Sequence, residues 1–170
     1  MERTGIIKFL GTPMTLVGPA LKAGDKAPAF TLADNDLHPF TLDGVKGKVA
    51  IISCVPSLDT PTCDIETRRF NKEAATLSKD IEILTVSMDL PFAQKRWCGQ
   101  AGAERVRTLS DYRGADFAQA YGVLIKELHL LTRAIFVLDR AGVIQYVQFV
   151  PEVSKEPDYA AVLDAAKKLV

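Results

Sequence analysis

The spacing patterns of metal-binding and dithiol sites are missing from this sequence. Its three cysteines, Cys54, Cys63 and Cys98, include no Cys-x-x-Cys pair, and its two histidines, His38 and His129, lie far from them. That arrangement argues against a zinc ribbon and against the usual dithiol redox loop. An odd number of cysteines in a chain of 170 residues does not suggest a secreted disulfide scaffold either. Excess charge is also missing, since 21 Lys+Arg balance 21 Asp+Glu. No bulk field draws the chain to nucleic acid or to an anionic membrane. No apolar stretch approaches the ~18 residues of a membrane span. The opening MERTGIIKFLGTPMTLVGPA is interrupted by Lys8, Gly11 and Pro13, unlike the continuous apolar run of a signal peptide. A cytoplasmic enzyme or binding protein is the expectation that remains.

What is present is ordinary globular composition, 48% hydrophobic and 25% charged. Area scaling for a chain of this size gives a folded surface of about 8,000 Å², with about 70% of the unfolded surface buried. One domain spanning residues 1–170 is therefore expected. Residues 1–18 read as a β-hairpin: Ile6-Ile7-Lys8-Phe9-Leu10, a turn at Gly11-Thr12-Pro13, then Met14 to Val17. Short strands are expected at Phe30 to Leu32 and Phe40 to Leu42, separated by the turn residues Asp34-Asn35-Asp36. The apolar, β-prone runs at residues 49–55 and 81–88 read as strands buried on both faces. Between them a helix is expected from Pro61 to Leu77, with Ile65, Phe70, Ala74 and Leu77 inward. Strand, helix, strand at this spacing is a βαβ crossover between parallel strands. A second helix is expected from Pro91 to Gly99, a hairpin at residues 134–149, and a C-terminal helix from Pro157. The order matches a thioredoxin-like α/β fold: a central mixed sheet flanked by helices, with an added N-terminal hairpin.

One segment combines these signals with chemistry. Pro56-Ser57-Leu58-Asp59-Thr60-Pro61-Thr62-Cys63 runs from the end of a buried strand into a helix. With Pro61 as the first helical residue, Thr60 is the N-cap and Cys63 lies in the first turn. The free N–H groups and positive dipole end there favour a thiolate, the nucleophilic form of cysteine. The C-terminal edge of parallel strands is also where open α/β folds place their ligands. An inert cysteine in a capping region is the competing explanation at this level.

Pro56-x-x-x-Thr60-x-x-Cys63 resembles the peroxiredoxin active-site motif, and VPSLDTPTC is similar to its thiol peroxidase branch. The string PFAQKRWCG at residues 91–99 resembles that branch's second-cysteine helix. TGIIKFLGTPMTLVG and LKAGDKAPAFTL resemble its N-terminal hairpin and first core strand, and LTRAIFVLDRAGVIQYVQ supplies Arg133 where peroxiredoxins carry an arginine. The likeness spans most of the chain in collinear order.

The resemblance implies an atypical two-cysteine peroxiredoxin that reduces hydrogen peroxide and organic hydroperoxides without a bound cofactor or metal. Cys63 is then the peroxidatic cysteine, with Arg133 and the Cys63 N–H as donors to the developing charge. Thr60 orients thiolate and peroxide, and Pro56 shields the pocket from water. Cys98 resolves the Cys63 sulfenic acid as an intramolecular disulfide, which thioredoxin reduces. The family also implies a homodimer.

Read singly, these residues have plainer explanations. Arg133 fits a rim salt bridge, Thr60 a simple cap, and Cys98 packing beside Trp97. Arg68 and Arg69 fit a solvated helix face, Cys54 a buried filler, and His38 and His129 no catalytic position. A redox sensor passing oxidation to a protein partner uses the same Cys63 chemistry. A general disulfide reductase is weakened by the missing Cys-x-x-Cys.

Overall fold

Local turn chemistry shapes the N-terminal hairpin. In the computed structural model, which describes residues 1–170, β1 (Glu2–Phe9) pairs antiparallel with β2 (Thr12–Val17). The two residues between them, Leu10 and Gly11, have φ of 50° and 80°. Positive φ at both positions marks a type I′ turn, whose twist suits the flanking strands. The turn thus comes earlier than Gly11-Thr12-Pro13, because Thr12 and Pro13 already pair with Phe9 and Lys8.

The remaining elements follow as β3 (Thr31–Ala33), β4 (Pro39–Thr41), a 3-10 turn (Leu42–Val45), β5 (Val49–Cys54) and α1 (Pro61–Ala74). Then come β6 (Ile81–Ser87), α2 (Pro91–Ala101), β7 (Arg107–Ser110), α3 (Asp116–Ala120), β8 (Leu124–Ile125) and β9 (Leu130–Leu131). The chain closes with β10 (Ala134–Leu138), β11 (Ile144–Phe149) and α4 (Tyr159–Lys167). A seven-stranded sheet has the order β11-β10-β5-β6-β7-β3-β4, in which only β5, β6 and β7 run parallel. Helices α1 and α2 make the two crossovers. A second sheet, β1-β2-β8-β9, carries the N-terminal hairpin. This is the thioredoxin-like mixed sheet that the element order implies.

Period-two alternation sorts the central strands onto two cores. Ala50, Ile52 and Cys54 point to the side of Phe117, Tyr121 and Phe136. Val49 and Ile51 point to the opposite side, against Cys63, Phe70, Trp97 and Val162. The N-terminal hairpin meets α3 closely at Gly18, where an added Cβ would lie 2.1 Å from the Gln119 carbonyl oxygen. No helix is long and apolar enough to cross a membrane.

Four helical details differ from the sequence-based expectation. Helix α4 opens at Tyr159 and not Pro157, because Asp158 is its N-cap, accepting from the Ala161 N–H. Helix α1 stops at Ala74, and α2 continues to Ala101 before Gly102, with φ 62°, caps it. Ile65 is 51% exposed rather than inward. The inward stripe of α1 is Cys63, Thr67, Phe70 and Ala74, with Glu66 beside it. Steps of four, three and four residues keep one helical face, and Ile65 falls off that face.

Candidate active site

The N-terminus of α1 forms as its capping residues dictate. Thr60 is extended (φ −90°, ψ 146°), and its Oγ1 accepts from the Cys63 backbone N–H at 3.4 Å, with Pro61 opening the helix. The same hydroxyl donates to the Ser57 carbonyl oxygen at 2.9 Å, which holds the preceding loop against the cap. Asp89, just past β6, accepts from Ser57 Oγ at 2.6 Å and Leu58 N at 2.8 Å. Pro56 is buried at the start of this loop. Thr62 donates to the Ser154 carbonyl oxygen at 2.9 Å, bringing the segment before α4 over the site.

Cys63 is fully buried, and Arg133, immediately before β10, approaches it from the strand next to β5, on the same face of the sheet as Ile135 and Val137. Arg133 Nη2 donates to Cys63 Sγ at 3.3 Å. Its Nε donates to the Val153 carbonyl oxygen at 2.9 Å, and its Nη1 donates to the Glu66 carboxylate. With Arg133 only 1% exposed, a rim salt bridge does not describe it. Glu66 in turn accepts from Ser53 Oγ at 2.8 Å. Burial works against the Arg133 charge, but Glu66 and Cys63 outweigh it and hold the guanidinium above its ordinary pKa. Burial pushes the Glu66 carboxyl up, although Arg133 and Ser53 pull it back. The result is a guanidinium fixed in place, with one N–H directed at the sulfur.

Glu66 escapes sequence reasoning, although a signal exists. It lies three positions after Cys63, on the same helical face, and reading Ile65 as inward concealed it. Arg68 and Arg69 stay exposed, paired with Asp64 at 3.0 Å and Glu73 at 2.8 Å. Cys54 faces the opposite core from Cys63, and burial, with Glu66 and Asp111 adding, pushes its thiol well above the ordinary range. His38 and His129 are exposed. No three His, Cys, Asp or Glu side chains gather as a metal site would require.

The structure therefore brings Thr60, Cys63 and Arg133 together, with Pro56 buried at the start of the same loop, but gives the Cys98 thiol other neighbours. Cys98, half-buried on α2, has its Sγ 3.3 Å from Thr108 Oγ1 on β7 and 3.9 Å from Asn35 Nδ2. All three cysteines are free. A cleft of about 310 Å³ opens beside Cys98, lined by Asp34, Asp36, Glu82, Arg105 and Arg107 among others, with Arg107 paired to Glu82 at 3.5 Å.

Residues 22–163 match the Redoxin family model. The chain is 56% identical over 161 residues to a thiol peroxidase of Halalkalibacterium halodurans, covering 95% of this chain and 96% of that one. It is 52% identical over 164 residues to a thiol peroxidase of Bacillus subtilis, covering 96% and 98%. Among solved structures, a peroxiredoxin-like protein from Aquifex aeolicus superposes with a TM-score of 0.91 at 42% identity, over 98% of this chain and 99% of that one.

Proposed function

The chain belongs to the Redoxin family, in its thiol peroxidase branch, and on that footing we propose a two-cysteine peroxidase cycle that starts at Cys63. The observation that carries this reading is the Arg133 guanidinium 3.3 Å from the Cys63 sulfur at a capped helix N-terminus. A fixed donor acts where charge develops and needs no reorganisation during reaction. The Cys63 thiolate attacks one peroxide oxygen; the S–O bond forms as the O–O bond breaks. The departing alkoxide or hydroxide takes a proton and leaves as alcohol or water. Cys63 is left as a sulfenic acid, the reversible first step of thiol oxidation.

Cys98 sulfur then attacks Cys63 sulfur. The S–S bond forms, the S–O bond breaks, and hydroxide leaves as water with the Cys98 proton. An external dithiol returns the pair to two thiols; thioredoxin, a small cytoplasmic dithiol protein, is the reductant of this reading. A second copy of the chain completes the proposed homodimer. Thr60 fixes the Cys63 N–H, and Pro56 keeps the loop closed against water.

One equivalent of cumene hydroperoxide added to reduced protein tests the cycle, with thiols mapped by mass spectrometry. The expected products are a Cys63–Cys98 bridge in the parent and a Cys63 sulfenic acid in Cys98→Ser. Cys63→Ser should consume no peroxide. Persistent peroxide in the parent, or oxidation at Cys54, would overturn the assignment.

A further inference from the structure

We infer that Asn35 and Thr108 form a parking site for the Cys98 thiol and thereby set the rate of disulfide formation. The inference rests on the two-cysteine cycle proposed above. It comes from the stoichiometry of a closed hydrogen-bond ring. The Thr108 hydroxyl donates to Asn35 Oδ1 at 2.9 Å. A hydroxyl has one proton, so toward Cys98 Sγ, 3.3 Å away, Thr108 Oγ1 is left as acceptor and the thiol donates. Asn35 Nδ2 closes the ring by donating to Cys98 Sγ at 3.9 Å. Each member donates once and accepts once, and the ring closes only with Cys98 as a thiol.

The two holders come from different parts of the chain and are themselves fixed. Thr108 is 3% exposed on β7. Asn35 lies in the turn between β3 and β4, where Asp34 Oδ1 accepts from the backbone N–H groups of Asp36 and His38, both at 2.9 Å. Asp36 in the same turn pairs with Lys95 of α2 at 2.6 Å. Gln94 secures the earlier part of α2, donating to Ser87 Oγ at 3.0 Å and the Leu109 carbonyl oxygen at 2.8 Å. The ring is thus a side-chain tie on the last turns of α2. It points the resolving sulfur at β7 and not at the Arg133–Cys63 pair. Cys98 must leave this ring before it reaches the Cys63 sulfenic acid. Asn35 and Thr108 are positioning residues, since they act through Cys98.

The test uses the full chain in two arms. In a single turnover with one equivalent of hydrogen peroxide, acid-quenched samples give the Cys63–Cys98 bridge against time. Thr108→Val and Asn35→Ala should each form it about fivefold faster, the rate equivalent of one hydrogen bond of about 1 kcal/mol. Thr108→Ser, which keeps the hydroxyl, should restore the parent rate. In the second arm, reduced protein is alkylated with iodoacetamide and modification of Cys98 is followed, with the same order expected. Rates equal to or below the parent for Thr108→Val and Asn35→Ala in the alkylation arm would overturn the parking site. Absence of the bridge in the parent would instead overturn the two-cysteine cycle, with the alkylation arm still deciding the ring. The two variants remove different members, so misfolding of one leaves the other to decide.

Discussion

The indole N–H of Trp97 donates to Asp64 Oδ1 at 2.8 Å, which ties the helix bearing Cys98 to the helix bearing Cys63. Arg68, bonded to that same carboxylate, lies 5.6 Å from the centre of the Trp97 ring. Asp64 and Trp97 are the immediate neighbours of Cys63 and Cys98, yet the two thiols have separate anchors. Cys63 is anchored by Arg133 at the start of β10, and Cys98 by Thr108 on β7. In the order β10-β5-β6-β7 those anchors lie on strands three intervals apart. Both thiols are free, and an S–S bond is only about 2 Å long. At least one sulfur must therefore shift from its anchor for the bridge to form.

Trp97 should report that shift. One equivalent of peroxide is expected to change its fluorescence, and Cys98→Ser, which cannot form the bridge, should remove most of the change. Amide hydrogen exchange across residues 91–101 is expected to accelerate in the oxidised protein. Equal protection in both redox states would show that α2 does not open.

Removing Arg133 should affect activity and stability separately. Arg133→Ala takes away the donor to Cys63 and leaves Glu66 buried without its partner. Peroxide consumption is expected to fall at least ~100-fold, as for loss of one oxyanion donor. Urea unfolding should show a loss of about 3–5 kcal/mol, as for half of a buried ion pair. Arg133→Met with Glu66→Met should recover much of the stability and none of the activity. Recovery of both would remove Arg133 from the chemistry.

At the Thr60 cap, the hydroxyl rather than the side-chain shape is expected to matter. Thr60→Val should destabilise the protein by about 1 kcal/mol, as for loss of an N-cap, and slow the reaction of Cys63 with peroxide. Thr60→Ser should keep most of both. Denaturant midpoints and single-turnover oxidation rates distinguish the two substitutions.

Asp111 gives the stability a pH dependence of definite sign. It caps α3, accepting from Phe117 N at 3.3 Å and Ala118 N at 2.8 Å, while burial pushes its carboxyl up from 3.8 to about 6. The folded protein holds this proton more tightly than the unfolded chain does. The contribution is fully present below the ordinary value of 3.8 and is lost as pH rises through about 6. Asp111→Asn has no proton to lose. The Tm of the parent relative to Asp111→Asn should therefore fall between pH 4 and pH 7, and a constant difference would contradict the assignment.

Features that depend on neighbours along the chain are legible without the fold. The fully buried run at β5, the nearly all-buried run at β6, the Thr60-Pro61 start of α1 and the position of Cys63 in its first turn are local consequences of apolar pattern and capping. Residues 103–133 were less legible, because β7, α3, β8 and β9 are two to five residues long, too short for a period to register. The helical period turns Glu66 and not Ile65 toward the Cys63 face, but the charge that makes a buried carboxylate tolerable there, Arg133, comes only from the assembled fold. It alone joined Arg133 to Cys63 across 70 positions and Asn35 to Thr108 across 73. A hydrogen bond between side chains so distant in sequence leaves no local pattern, because its geometry exists only after the sheet has brought the strands together.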